Sequence, residues 1–281
     1  MSKTNVRKQL ISKIYLSLIL SWLIFGLPAA VYAVNFRGQN FILSSAGSKQ
    51  NSRIKFKKPP SRGLPAKREA GGTRRYGSSC FTPGTTLTLL LPEDGFGLTT
   101  SAYPRFFWYV PANTAQRVEF SLYRVNRKTQ AKQLVYKQSL QPTQEAKVES
   151  IELPKNRQVS PLKINQLYQW SVTVFCTQQN DGSEVSRTVE GWLERITLPQ
   201  NIVRKLQTLS PKNRLAVYAE RGLWFDLLST LAQLHYCRPS DVSLSNMTAD
   251  IFEQVELSEL TQSFTTTKLN SLSTKHFCIN H

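Results

Sequence analysis

Histidine is scarce in this 281-residue chain: there are three, His235, His276 and His281, all near its C-terminal end. A histidine-based general base would have to be assembled from that end alone. The chain contains no G-x-S-x-G, no H-E-x-x-H and no phosphate-cradling glycine loop, the sequence signs of serine hydrolases, zinc peptidases and nucleotide-binding enzymes. Long apolar runs are lacking too. The strongest, residues 14–27, has 14 residues, short of the ~20 a helix needs to span a bilayer. Acidic residues number 18 against 36 basic ones, a formal charge of +18.

What the first apolar run can be follows from its flanks. Lys3, Arg7, Lys8 and Lys13 precede it, and the small residues of "PAAVYA" follow, so residues 1–33 read as a signal peptide cut after Ala33. Export to a periplasmic, envelope or extracellular site in turn favours disulfides among Cys80, Cys176, Cys237 and Cys278. Four cysteines allow three pairings. Position favours Cys80 with Cys176 in the strand-rich part and Cys237 with Cys278 in the helical end, against the alternative of free buried thiols. The repeated His-x-Cys at 235–237 and 276–278 could supply four zinc ligands, but close ligand pairs are missing, so no metal or other cofactor is expected.

The excess positive charge is concentrated. Residues 34–79 hold eleven Lys and Arg and one acid, Glu69; beyond them 21 basic residues face 17 acidic ones. This stretch is rich in Ser, Gly and Pro and poor in large apolar groups, so it reads as a disordered linker. It is either merely solvated or an electrostatic arm in which Lys55, Lys57, Lys58, Arg62, Lys67, Arg68, Arg74 and Arg75 meet an anionic membrane or wall polymer. Nucleic acid is not expected as a partner, since no binding fold accompanies the charge.

From residue 80 to 198 the pattern is that of strands. Segments near 85–92, 102–111, 117–126, 132–140, 146–154, 166–176 and 186–199 are separated by turn signals such as Asp94-Gly95. In 166–176, Tyr168, Trp170, Val172, Val174 and Cys176 share one face. Seven such strands predict a two-sheet sandwich. In "AYPRFFWYVP", Phe106 and Trp108 are expected inward, leaving Phe107 and Tyr109 either covered by the helical end or exposed as a contact patch with Trp224.

After Pro199 the period becomes helical. Ser210-Pro211 makes a helix start, Gly222 interrupts, and Trp224, Leu227, Leu228, Leu231 and Leu234 form a second stripe ending at Arg238-Pro239. A third helix covers about 246–255. Residues 199–257 form a helical subdomain that must dock on the sandwich, and 258–281 read as a flexible Ser/Thr-rich tail. Asn246-Met247-Thr248 matches a glycosylation acceptor. Glu93 with Asp94 and Glu190 with Glu194 are the carboxylate pairs an acid-based glycosidase could use.

Several of these pieces carry resemblances. "YPRFFWYVP", "EFSLYR" and "LYQWSV" resemble fibronectin type III or immunoglobulin-like domains. Tyr218, Gly222, Trp224, Leu231 and Pro239 resemble one tetratricopeptide unit, although Leu215, Leu227 and Leu234 stand where that repeat places small residues. Together, "RRYGSSC", "LLPEDGFGLTTSAYPRFFWYVP", "VEFSLYR", "LYQWSVTVFC", "VEGWLERI" and "YAERGLWFDLLSTLAQL" resemble an exported cyanobacterial family, domain of unknown function 928. The resemblance implies a mainly β sandwich followed by a small helical hairpin packed on it, with no catalytic residues to carry over. The expected function is non-catalytic: a binding or scaffolding module of the periplasm or envelope, with a protein or glycan as partner. The alternatives are a carboxylate-based carbohydrate-active enzyme and a structural domain docking through its helical face.

Overall fold

A computed structural model describes residues 53–60, 63–71, 80–156, 159–177, 182–269 and Cys278. The signal segment and Arg62, Arg74, Arg75, His276 and His281 lie outside them. The architecture is mainly β: two sheets followed by helices. β1 (Glu69–Gly71), β2 (Thr86–Leu89), β4 (Arg105–Val110) and β7 (Lys147–Glu152) form a four-stranded sheet in the order β1-β2-β4-β7. β3 (Phe96–Thr99), β5 (Ala115–Val125), β6 (Lys132–Leu140), β8 (Leu167–Thr177) and β9 (Glu184–Arg195) form the other, in the order β3-β9-β8-β5-β6. Every pairing is antiparallel except that of β3 with β9.

Alternation puts the large rings of the two sheets face to face. Phe106 lies 5.0 Å from both Phe120 and Trp170, and Trp108 stacks on Phe120 at 6.3 Å. Phe106 and Trp108 therefore point inward, as the pleat requires. Gly191 exists because of this packing: a Cβ there would fall 2.2 Å from Leu91 Cδ1. At one corner the Tyr168 hydroxyl accepts a hydrogen bond from Lys163 N at 2.8 Å, closing the loop before β8. Cys80 and Cys176 are bonded, joining the approach to β2 with the end of β8, and Cys237 is bonded to Cys278. Both pairings are the expected ones, and they leave no free cysteine for zinc.

The helical part begins after Pro199, with one helix ahead of the Ser210-Pro211 start. α1 (Gln200–Thr208) precedes α2 (Pro211–Glu220), α3 (Trp224–Cys237) and α4 (Val242–Glu253). No residue of α1 is buried and Pro199 gives it no side-chain cap; Ile202, Val203 and Leu206 are its half-buried apolar residues. Ser210 caps α2 through Asn213 N, and Asp241 caps α4 through Leu244 N, leaving fewer orphan amides at each start. α3 docks the helices on the sheets: Phe225 enters the core 5.5 Å from Phe106 and 6.4 Å from Trp170, and Trp224 Nε1 donates to Leu90 O at 2.7 Å. Gly97 on β3 admits this approach, since a Cβ there would lie 2.9 Å from the Phe225 ring.

Two expectations of disorder need correction. Within the supposed linker, residues 53–60 and 63–71 lie on the folded body: Ile54 and Phe56 pack on the core, and β1 pairs with β2. Trp192 Nε1 donates to Pro65 O at 2.7 Å, and Lys67 exchanges two backbone bonds with Glu190. A few apolar side chains and the satisfaction of backbone groups at a sheet edge outweigh a polar composition here. Within the supposed tail, a 3₁₀ turn (Ser258–Leu260) leads into α5 (Thr261–Thr265), and Phe264 is fully buried. No helix among the described residues is long and apolar enough to cross a membrane.

Candidate functional site

The outer face of the four-stranded sheet is where the quoted aromatic run meets solvent. Phe107 and Tyr109 share that face. Phe107 is closed off by the Phe264 ring of α5 at 5.6 Å, so it is core rather than contact patch. Its cover comes from the segment expected to be loose. Tyr109 stays half-buried. Register places it opposite Thr88 on β2, which in turn faces Glu69 on β1, so a carboxylate, a hydroxyl and a phenol run in a row across three strands.

The turn after α4 forms the opposite wall. Tyr109, Glu69, Thr85, Thr86 and Thr88 on one side and Glu256, Ser258 and Glu259 on the other enclose an open groove of about 420 Å³. Arg68 fixes the two walls: its guanidinium donates to Val255 O at 3.0 Å and pairs with Glu69 at 2.7 Å. The hydroxyls of Thr85 and Thr88 donate to nearby carbonyls, so their remaining capacity is as acceptors. The Tyr109 hydroxyl has no hydrogen-bond partner among the described residues. An aromatic body with a polar tip, ringed by carboxylates and hydroxyls, suits a ligand with many hydroxyls and apolar C–H patches.

A second polar constellation lies at the seam between sheets and helices, and it is a brace. Asp226, in the first turn of α3, accepts from Thr100 N at 3.0 Å and from the Thr100 hydroxyl. Desolvation pushes its carboxyl above the usual range, the Thr100 and Thr99 hydrogen bonds opposing it. The buried Arg105 guanidinium is held by Glu152, and its own pKa is lowered by burial, with Glu152 opposing. Only about 160 Å³ is enclosed beside them. Asp226 ties α3 to the loop after β3, while Arg105 and Glu152 pair across β4 and β7, so each of these charges is already engaged by the fold.

The remaining sequence-named residues are dispersed. Trp224 is fully buried and meets Phe56 edge-on at 4.9 Å, so it is no open contact surface. Lys55 and Lys57 are exposed, Lys58 faces Glu93 at 3.7 Å, and Lys67 and Arg68 are tied to the body. Arg68 thus serves the groove wall rather than an anionic surface. Asp94 caps its own turn through Phe96 N, and Glu194 is buried against Arg127 at 2.7 Å. These partners account for Glu93, Asp94 and Glu194 without a shared cleft. Thr248 of the supposed glycosylation site is buried, bonded to His235 and to Leu244 O. The residues missed in sequence are Thr85, Thr86, Thr88, Glu256, Ser258 and Glu259. Thr86 and Thr88 do alternate with Leu87 and Leu89, but what faces them is set by chain topology.

Fold and groove together define a two-sheet, mainly β protein with a small helical cap. The profile of the family described as Domain of Unknown Function (DUF928) matches residues 69–264, and the chain belongs to that family. No curated protein matches it. Among solved structures it is similar to Astrotactin-2, a vertebrate-specific, perforin-like membrane protein involved in neuronal development, at 12% identity with a TM-score of 0.26. That match spans 72% of this chain and 39% of the other, and so low a score carries no argument.

Proposed function

We propose that this protein is an exported, non-catalytic binding module of the periplasm or cell envelope, and that its groove at Tyr109 takes a glycan. The observation that carries this reading is the row Glu69–Thr88–Tyr109 facing Glu256, Ser258 and Glu259 across an open groove. Carboxylate and hydroxyl acceptors meet sugar hydroxyls, and the phenol ring covers an apolar sugar face. Two disulfides support an oxidising compartment. Lys55 and Lys57, exposed beside the helices, would add attraction to anionic wall polymers or headgroups.

An immunoglobulin- or fibronectin-like sandwich is the scaffold we infer. The strand order, with β2-β4-β7 opposite β9-β8-β5-β6, supports it, as does the Tyr168 hydroxyl bonded back to Lys163 at the start of β8. The α2–α3 hairpin around Gly222 supports the likeness to a single tetratricopeptide unit, used here as a cap.

Titration of the purified protein with soluble envelope glycan fragments tests the proposal. Saturable binding that weakens roughly 5- to 10-fold in Tyr109→Ala, with the fold intact, is expected. Absence of binding, or equal affinity in that variant, would refute it.

A further inference from the structure

Residues 53–59 run along a groove on the helical cap as a bound peptide would. Three backbone contacts hold the segment. Phe56 N donates to Gln254 Oε1 at 2.9 Å, Gln254 Nε2 donates to Ile54 O at 2.9 Å, and Lys57 N donates to Ala219 O at 2.9 Å. One side-chain amide thus reads both a backbone donor and a backbone acceptor of the same segment. Such contacts depend on backbone conformation rather than on sequence.

Two side chains supply selectivity. The Phe56 ring meets Trp224 edge-on at 4.9 Å. Three residues earlier, Arg53 donates to Asp250 at 3.0 Å and to Glu253 at 3.2 Å. Gly222 makes room: its φ is +67°, and a Cβ there would lie 2.8 Å from Lys57 O and 3.0 Å from Pro59. Lys55 and Lys57 point away from the body, so an alternating basic and apolar segment fits with its apolar side inward.

The groove and its occupant also separate along the chain. Ala219, Gly222, Trp224, Asp250, Glu253 and Gln254 all fall within the family match at 69–264, and residues 53–59 precede it. The receptor side thus lies inside the matched region and the ligand side N-terminal to it.

We propose that the groove between α2 and α4 is a peptide-binding site for extended segments carrying an arginine three residues before a phenylalanine, and that residues 53–59 occupy it in cis as a built-in competitor. A peptide in trans then has to displace a tethered ligand whose effective concentration is on the order of millimolar. This site is separate from the groove at Tyr109, and either can fail without the other.

The test uses the full chain and a fluorescent peptide of residues 51–60, followed by anisotropy. The double variant Arg53→Ala/Phe56→Ala, shown folded by circular dichroism, is expected to bind this peptide at least ~10-fold more tightly than the wild type does. Adding Gln254→Ala to it, or replacing the phenylalanine of the peptide by alanine, is expected to remove the gain. If the double variant does not fold, Arg53→Ala alone, which removes only surface ion pairs, should still bind the peptide several-fold better than the wild type. Equal binding by the wild type and the folded variant, or binding insensitive to the peptide's phenylalanine, would overturn the proposal.

Discussion

Phe225 is the side chain on which the joining of cap and sandwich depends most. It starts on α3, is 3% exposed, and touches Phe106 and Trp170 in the centre of the sandwich. Phe225→Ala would open a void bordered by large rings that cannot collapse into it, because they are held by the pleat and by one another. A buried phenylalanine cut to alanine costs about 3–5 kcal/mol. For a folded unit of this size each kcal/mol lowers Tm by about 2–4 °C, so a drop of roughly 6–20 °C is expected. Urea titration should be followed by tryptophan fluorescence, which reports on Trp108, Trp170 and Trp192 in the sheets and Trp224 in the cap. Cap and sandwich should unfold in one transition with a lowered midpoint. Leu134→Ala, at a site 52% exposed on β6, is the control and should stay within about 0.5 kcal/mol. A Phe225→Ala loss below about 1 kcal/mol, or a cap that melts separately in the wild type, would refute this picture of the seam.

Two further outcomes follow from buried chemistry. Replacing Cys80 and Cys176 by serine should cost about 4–5 kcal/mol in chemical denaturation, since the bond spans 96 residues and restricts the unfolded chain; a loss under about 1 kcal/mol would show that it is strained or dispensable. His235 is buried, and because the Thr248 hydroxyl donates to Leu244 O, the imidazole must donate to Thr248 from Nε2, leaving Nδ1 without a described partner. Burial holds its pKa below the ordinary value of 6.5, with Asp241 opposing. The unfolded chain therefore takes up a proton first as pH falls through about 6.5, so this contribution to stability is complete above that pH and is lost below it. Stability measured from pH 8 to 5 should decline in the wild type more steeply than in His235→Leu; parallel curves would refute the assignment.

Much of the framework can be read from residue patterns because it rests on alternation. Trp170, Val172 and Val174 on β8 and the leucine stripe of α3 leave only one way to bury their apolar side. β3 escapes that logic: four residues, one of them Gly97, have no alternation to display and pair parallel to residues 96 positions further along the chain. The segments 53–60 and 258–265 escape it for a different reason. They are mostly polar, and each is held by a ring, Phe56 or Phe264, the first also by bonds to Ala219 O and to the Gln254 side chain that the rest of the fold has already placed. The groove follows the same rule. Tyr109 stands out in sequence, but Glu69, Thr88 and Glu259 become its neighbours only through strand register and the turn after α4.

Hydrogen–deuterium exchange of the whole chain, with and without saturating envelope glycan fragments, tests the binding groove most directly. A ligand seated at Tyr109 should slow exchange at residues 85–88, 109 and 256–260 while the Asp226 seam stays unchanged. Protection confined to other surfaces, or none at saturation, would contradict a glycan site there.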